Sequence, residues 1–398
     1  MHENDGHADC GIVGGGPAGL LLALLLARRG WRVTVVDKNA IRDPRMAKIA
    51  PFLSPPSLEL FEELGFLDEL ARVGQPVRDV VEFTATGEQR AMDYASYIWR
   101  RHPYIMSVPL PTLTGVLHDA LEREATAAVL PGTSVRKLTD ADGEYRLDLA
   151  DAHREKTLTC RYLICSDGKF SPMRTAAGIE ADVFDFDRPA VFFIHPQPSA
   201  WPARVDVHHA PDGSWLGVMP LANEQLAVQW AADPEDFEHV RSAGVAELRA
   251  RVLAFRPDLH EWIGNLTDWD QITVAYHHVV QPKVWSRGGL GLLGDSAHGM
   301  HAIGAQGLNM AIQDALVLAD RLIRAAEGEL AAPLESYEAL RRPFVTELQR
   351  YQMRLPHATT QGDQDRAGDS MYAGIAELMA NGQPEVRPCF ERVVAGAK

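Results

Sequence analysis

An α/β fold, interrupted by a β-sheet insert and closed by C-terminal helices, is what this sequence predicts, and three stretches predict it. Residues 8–37 read as strand, glycine-rich turn, helix and strand, the alternation that builds a parallel sheet. From about residue 76 to 106, and again from 180 to 285, the pattern turns to short alternating runs bounded by turn residues. Leu308, Ile312, Ala315, Leu316, Ala319, Leu322 and Ile323 then lie on one apolar stripe of a long helix. The expected division is an α/β domain at 1–75, 107–179 and 286–350, an inserted β-sheet domain at 76–106 and 180–285, and a helical tail at 351–398.

The first stretch carries a ligand signature. Gly14-Gly15-Gly16-Pro17-Ala18-Gly19 is a G-x-G-x-x-G that follows a short apolar strand and opens a helix, which Gly30 can cap. Gly14 permits the tight turn, Gly16 lets a pyrophosphate approach the backbone, and Gly19 lets helix and strand pack closely. Pro17 and Ala18 sit in the first helical turn, whose free N–H groups and dipole hold phosphate. The next strand ends at Asp37, followed by Lys38, at the spacing of an acid that accepts from a ribose hydroxyl. This makes the domain Rossmann-like, and the acid favours an unphosphorylated adenosine ribose, as in FAD or NAD.

Further along, residues 56–72 form an amphipathic helix stopped near Gly65 and then a second short one. Pro211-Asp212-Gly213 precedes the runs 215–219 and 226–230, which read as antiparallel strands. Trp215, Gly217 and Met219 share one face of the first run, which leads into Pro220. Beyond residue 355, turn-rich stretches surround a short apolar helix near 375–379, and this tail is expected to be dispensable for cofactor binding.

Composition bounds the function. With 398 residues, 46% hydrophobic and 23% charged, the chain is globular and long enough for two domains. A net charge of −15 argues against nucleic acid, whose phosphates require a basic face. The 4 cysteines are too few for a disulfide framework, so reduced thiols and a cytoplasmic location are expected. Cys160 and Cys165 fall on opposite faces of a strand and are poor candidates for a shared metal. The apolar stretch 20–26 is too short to span a bilayer and lacks the flanks of a signal peptide, so no integral membrane segment is expected.

Two later segments separate FAD from NAD. Leu163-Ile164-Cys165-Ser166-Asp167-Gly168-Lys169-Phe170-Ser171-Pro172-Met173-Arg174 is a strand running into an Asp-Gly turn. Leu290-Gly291-Leu292-Leu293-Gly294-Asp295-Ser296-Ala297-His298 is another strand, continuing into Gly304-Ala305-Gln306-Gly307-Leu308-Asn309. With the fingerprint, in this order over roughly residues 8–350, they resemble the class A flavoprotein monooxygenases typified by para-hydroxybenzoate hydroxylase. Tyr337 with Arg341-Arg342-Pro343 resembles a later helix signature of that family.

The resemblance implies FAD bound across the α/β domain, with a β-sheet lid over an aromatic substrate site. It implies that Asp295 holds the ribityl or pyrophosphate region and that the 304–309 turn sets N–H donors against the flavin N1–C2=O edge. Asp167 and Arg174 would flank the FAD-facing and nicotinamide-facing groove. The implied activity inserts one atom of O2, through a flavin C4a-hydroperoxide, into an aromatic, polyketide- or alkaloid-like metabolite, with NAD(P)H as reductant. Trp215, Gly217, Met219 and Pro220 would line the substrate pocket, with Ala302 contributed by the later loop. A strand face without a cation argues against a small carboxylate substrate.

The sequence departs from the family at several positions. Ala302 replaces a usual Pro and Ala305 a usual Gly, while Leu110 and Ile49 stand where arginines usually serve the flavin and nicotinamide side. Lys48, Arg45, Arg100 and Arg101 are the nearby cations. The flavin is therefore expected to be reduced poorly by NAD(P)H, or to depend on a separate flavin reductase. His298, His301, His208 and His209 are weak candidates for deprotonating a phenol or amine, each reading more readily as a structural or surface histidine. The adjacent pairs His208-His209 and His277-His278 split across strand faces, and no carboxylate cluster joins His298 and His301, so no metal site is expected. A Gly-x-Ser-x-Gly elbow is absent, which counts against a hydrolase. A flavin halogenase would want Trp-x-Trp-x-Ile-Pro, of which 214–220 keeps one Trp and the Pro. A flavin-loaded protein that sequesters an aromatic ligand without turnover is the reading from another class.

Overall fold

The structure, a computed structural model, describes residues 6–43, 46, 50–87, 89–92, 101–141, 143–199, 201–354, 375, 383 and 385–394. Its first sheet grows from the strand His7–Val13, which pairs in parallel with Val33–Val36 on one side and Glu155–Cys165 on the other. Ala127–Leu130 extends it beyond the former and Leu290–Leu292 beyond the latter, again in parallel. Both faces of such a sheet are covered, which is why Val33–Val36 is buried at every position. The helix Pro17–Ala27 buries residues 18–27, lying between the sheet and the helices Leu110–Leu121 and Gly307–Ala326. A helix that is apolar all round needs neighbours on all sides, and this one has them.

The second sheet has seven strands, in the order Ile272–Ala275, Ala190–Pro196, Gln225–Ala231, Trp215–Leu221, Arg204–His209, Asp79–Phe83 and Gln89–Met92. Arg204–His209 and Asp79–Phe83 pair in parallel, so strands from both insert segments share one sheet. Side chains alternate between its faces. On one face Val191, Phe193, Leu216, Val218 and Trp230 form a core with Phe237, Val240, Leu248 and Val252. The latter come from the helices Pro234–Ala243 and Val245–Phe255, a layer that the alternating pattern did not lead us to expect. Its signals are local: Asp233 accepts from the Asp236 N–H at 2.9 Å, Pro234 opens the first turn, and Gly244 (φ +97°) separates the helices. The opposite face carries Val80, Val205, Val207, Trp215 and Met219 and packs toward the first sheet.

The helices Pro55–Glu63 and Leu67–Ala71 flank Gly65, which adopts φ +82° as the expected stop between them. No helix among the described residues is long and apolar enough to cross a membrane. Cys10, Cys160, Cys165 and Cys389 are buried and unpaired.

The tail differs from expectation. Helix Pro333–Arg354 runs past residue 351, and a further helix, Val386–Val393, packs against Gly307–Ala326. That helix buries Val386, Cys389, Phe390 and Val393. Ahead of it, Gln383 and Glu385 accept from the Arg341 guanidinium at 3.1 and 2.9 Å. Arg392 pairs with Asp320 at 2.6 Å, and its carbonyl accepts from Arg29 at 2.7 Å. The expectation of a dispensable tail is therefore corrected, because this segment closes the core. Apart from Ile375, the helix expected near 375–379 lies outside the described residues. Each large apolar side chain exposed by loss of Val386–Val393 is worth about 1.5–3 kcal/mol of burial. Deleting residues 383–398 should accordingly lower the melting temperature and the soluble yield. A deletion variant that unfolds at the same temperature as the full chain would refute this.

Candidate active site

The parallel strands end together. Val36, Val13, Cys165 and Leu292 are successive register partners across the sheet, so the loops that follow them open at one edge. In parallel α/β sheets this carboxyl edge is where ligands bind. The glycine turn, Asp37, the 166–174 turn and the 293–298 loop all stand on it.

The fingerprint glycines divide into two kinds. Gly14 has φ +117°, and a Cβ there would lie 2.1 Å from the Ser166 carbonyl oxygen. A Cβ on Gly19 would lie 2.1 Å from the Gly14 carbonyl oxygen. The packing of the chain itself requires both. Gly16 is different, with an ordinary φ of −73° and nothing within 4 Å of an added Cβ. The open space above it adjoins the unpaired N–H groups at the start of Pro17–Ala27, a cradle that fits a pyrophosphate. Asp37 accepts from the Gly15 and Asn39 N–H groups at 2.6 and 2.7 Å, which fixes its carboxylate beside the turn with lone pairs left for a ribose. Lys38 is exposed next to it.

The next two loops are braced against each other. Asp167 accepts from the Ser171 hydroxyl and, at 2.9 Å, from the Met173 N–H. Burial raises its carboxyl above the usual range, against those hydrogen bonds. Arg174 is buried and donates to the carbonyls of Lys169 (3.1 Å) and Ser296 (2.9 Å). The expectation that Arg174 lines a cofactor groove is corrected: it ties the 166–174 turn to the 293–298 loop. Gly168, at φ +92°, has no atom within 4 Å of an added Cβ. Gly294, at φ +62°, packs 2.9 Å from Ala311 by the same measure. Asp295 is half-buried beside Lys169, its Oδ1 3.8 Å from where a Cβ on Gly307 would stand, and so overlooks the start of the long helix.

The turn into that helix is held from both sides. Asn309 Oδ1 accepts from the Ser54 N–H and the Ser57 hydroxyl, each at 2.8 Å, while Nδ2 donates to the carbonyls of Phe52 (2.9 Å) and Ala305 (3.0 Å). The Asn309 side-chain amide is thus committed to this clasp, while its backbone N–H, the group expected to face the cofactor, lies in the first turn of Gly307–Ala326. Gly304 and Ala305 are both left-handed, at φ +80° and +53°. The alanine that replaces the usual glycine thus stores about 1–2 kcal/mol of backbone strain. Gln306 donates to the Gly304 carbonyl at 2.7 Å, whereas its Oε1 is buried without a partner. Gly307 and Leu308 follow in the first helical turn.

Between this turn and the inner face of the seven-stranded sheet lies a cleft. Val80, Val205, Trp215 and Met219 face Ala302 and residues 303–306 across it, with Gln229 as a polar member on the sheet. Trp215, Met219 and Ala302, expected at a substrate pocket, all line this cleft. Gly217 lies under the Trp215 ring, which would come within 3.2 Å of a Cβ there, so it floors the site. Pro220 is corrected: strand alternation turns it to the other face. Val80, Val205 and Gln229 were not foreseen, because nothing local reveals which strands pair beside 215–221.

None of the histidine candidates lines this cleft. His298 is buried with Nε2 paired to Asp314 and its ring 5.3 Å from Trp285. His301 accepts from the Ile303 N–H at 3.0 Å, and burial pushes its pKa down to about 2. His208 stacks on Phe83 at 4.4 Å, and burial lowers its pKa to about 4. Those three are corrected to structural residues: burial makes His301 and His208 poor bases, and His298 is committed to Asp314. His209 pairs with Glu82 at 3.4 Å. Lys48, Arg45, Arg100 and Ile49 lie outside the described residues. Arg101 is engaged by Glu62 and Glu63 at 3.2 and 2.6 Å, and Leu110 opens the helix Leu110–Leu121.

A dinucleotide edge that keeps space the chain does not fill, opening onto an apolar cleft, is the layout of a dinucleotide-dependent oxidoreductase. The chain belongs to the FAD binding domain family, which it matches over residues 7–351. It is 31% identical over 359 residues to protoasukamycin 4-monooxygenase of Streptomyces nodosus subsp. asukaensis, covering 87% of each chain. It is 29% identical over 357 residues to 6-methylpretetramide 4-monooxygenase of Streptomyces rimosus, covering 87% of this chain and 83% of that one. Its fold matches that of PqsL from Pseudomonas aeruginosa with a TM-score of 0.80 at 23% identity, over 93% of this chain and 100% of that one. The protein is an FAD-dependent monooxygenase of the class A flavoprotein hydroxylases. Neither the halogenase nor the carrier reading is favoured by these relatives.

The residues fit FAD on the chain's own geometry: the open cradle over Gly16, the anchored Asp37 and the unpartnered Gln306 oxygen. Bound FAD supplies the reduction of O2 and the transfer of one oxygen atom, and the chain supplies orientation and exclusion of water. Gly16→Ala should leave the thermal stability of the apoprotein unchanged yet lower FAD affinity by about tenfold or more, the effect of ~1.4 kcal/mol. Gly14→Ala should instead destabilise the apoprotein. Thermal unfolding and flavin titration of both variants check this; equal effects of the two would refute it.

Proposed function

We propose that the chain hydroxylates a neutral, fused-ring aromatic of the polyketide kind, in the cytoplasm. The supporting observation is the cleft, whose described lining is apolar apart from amide groups and contains no cation. The names of the two Streptomyces relatives agree with such a substrate. In this reading the pyrophosphate lies over Gly16, the ribose meets Asp37, and Asp295 lies toward the ribityl chain. The N–H groups of Gly307 and Leu308 then face the flavin N1–C2=O edge, where their partial charge stabilises negative charge on the reduced ring. The first sheet with its helices is the FAD-binding domain and the seven-stranded sheet the substrate domain.

The reductant side follows from what is missing. Leu110 offers no charge, and Arg101 is already paired with two carboxylates. A charge-assisted contact is worth about 1.5–3 kcal/mol, so losing two weakens nucleotide binding by several orders of magnitude. We therefore propose slow reduction by NAD(P)H and supply of reduced flavin by a separate reductase. The test incubates holoprotein with hydroxynaphthalenes and O2, with NAD(P)H alone or with a flavin reductase added. Products heavier by one oxygen atom should accumulate much faster with the reductase. No oxygenated product under either condition would sink the substrate reading. Fast, saturable flavin bleaching at micromolar nucleotide in stopped flow would sink the reductase reading.

A further inference from the structure

We infer that Gln229 orients the substrate, its side-chain amide pairing with a fused-ring aromatic whose edge carries a hydrogen-bond donor beside an acceptor, as a lactam or a carboxamide does. This rests on the cleft being the substrate site.

Gln229 is 8% exposed and lines the cleft. Among the described residues, no group hydrogen-bonds its side-chain amide. Most buried polar side chains in folded proteins are paired, and an amide left without a partner is costly. An apolar residue at this position would spare the chain that cost, so the amide calls for a partner from outside the chain.

Strand register explains why the sheet does not supply one. Gly217 is the register partner of Gln229 on one side and Phe192 on the other, and neither side chain carries a polar atom. Ala227 and Ala231, two residues away along its own strand, share its face and have none either. Trp215 and Met219 lean over Gly217, at 3.2 and 3.9 Å from where a Cβ on the glycine would stand. Gln229 is thus a polar point on an apolar floor. The two other amides of the cleft are spoken for: Asn309 is fully engaged by its clasp, and Gln306 donates to the Gly304 carbonyl. Only Gln229 among the three keeps its donor and its acceptor both uncommitted. A primary amide presents N–H and C=O side by side, so a ligand edge with the complementary pair meets it through two parallel hydrogen bonds. Two bonds fix the rotation of the ring in its plane, and therefore which ring carbon faces the turn at 302–306 on the opposite wall.

The experiment uses FAD-loaded protein and two probes, quinolin-2(1H)-one and its N-methyl derivative, titrated calorimetrically. The methyl group removes the donor and leaves the carbonyl. The native protein should bind the lactam about tenfold or more tighter, the effect of a lost hydrogen bond and of the acceptor it leaves unmet. Gln229→Met keeps the side-chain length without the amide and should bring the two affinities within about twofold. If the methyl group merely fails to fit, the preference persists in the variant. FAD content and melting temperature monitor folding, and Gln229→Leu is read in the same way if the methionine variant does not fold. The proposal is overturned if the lactam does not bind, if the native protein does not discriminate, or if the variant discriminates as the native protein does. Oxygenation of hydroxynaphthalenes without any lactam preference would strike this inference and leave the proposed reaction standing. An intact preference with no oxygenated product would do the reverse.

Discussion

Asp314 and Arg341 form an ion pair with no exposure on either side, and the architecture of the site hangs from it. Such a pair is tolerable only when every remaining donor and acceptor is met. Arg341 donates to Asp314 at 2.7 Å and also reaches Gln383 and Glu385, while the other Asp314 oxygen meets His298. Burial alone would raise the Asp314 carboxyl, but His298 and Arg341 hold it below the usual range. One pair thereby fixes three things at once: the loop that carries Asp295, the long helix that begins at Gly307, and the segment leading to the C-terminal helix. Removing one member of a buried pair costs about 3–5 kcal/mol, because the survivor is left charged and unpaired.

Around that anchor the site is assembled by residues that touch other loops. Arg174 bridges two carbonyls from different loops, and Asn309 binds four groups from two stretches of chain. Cofactor contacts made through backbone N–H groups are only as well placed as the backbone, so the side chains act by holding turns. The left-handed pair Gly304–Ala305 shows how firmly this is done, since the strain at Ala305 persists under the Asn309 clasp.

Much of this was legible in the sequence because its physics is local. Glycines that need a positive φ, an acid at a strand end and an apolar stripe from Leu308 to Ile323 can each be read within a few turns of chain. The alternation at Trp215 and Met219 likewise placed both on the cleft face. What stayed hidden is what depends on pairing. Val80, Val205 and Gln229 join the cleft only through the strand pairing that puts them in one sheet with 215–221. The clasp of Ser54 and Ser57 on the Asn309 amide joins positions more than 250 residues apart. The helices at 234–255 were a different failure, since their Asp-Pro start and Gly244 stop stand openly in the sequence within a run read as strands.

The seven-stranded sheet keeps its folding and its recognition on opposite sides. One face is sealed by Pro234–Ala243 and Val245–Phe255 through a core built from Phe193, Leu216, Val218 and Trp230. The other presents Val80, Val205, Trp215 and Met219 to the cleft. Because neighbours along a strand point to opposite sides, a change at 205 or 219 alters what the cleft admits without entering the layer that stabilises the sheet. A lineage built this way can drift between ligands by substitutions that stay clear of the stability threshold. Its chemical repertoire can then diversify faster than its scaffold.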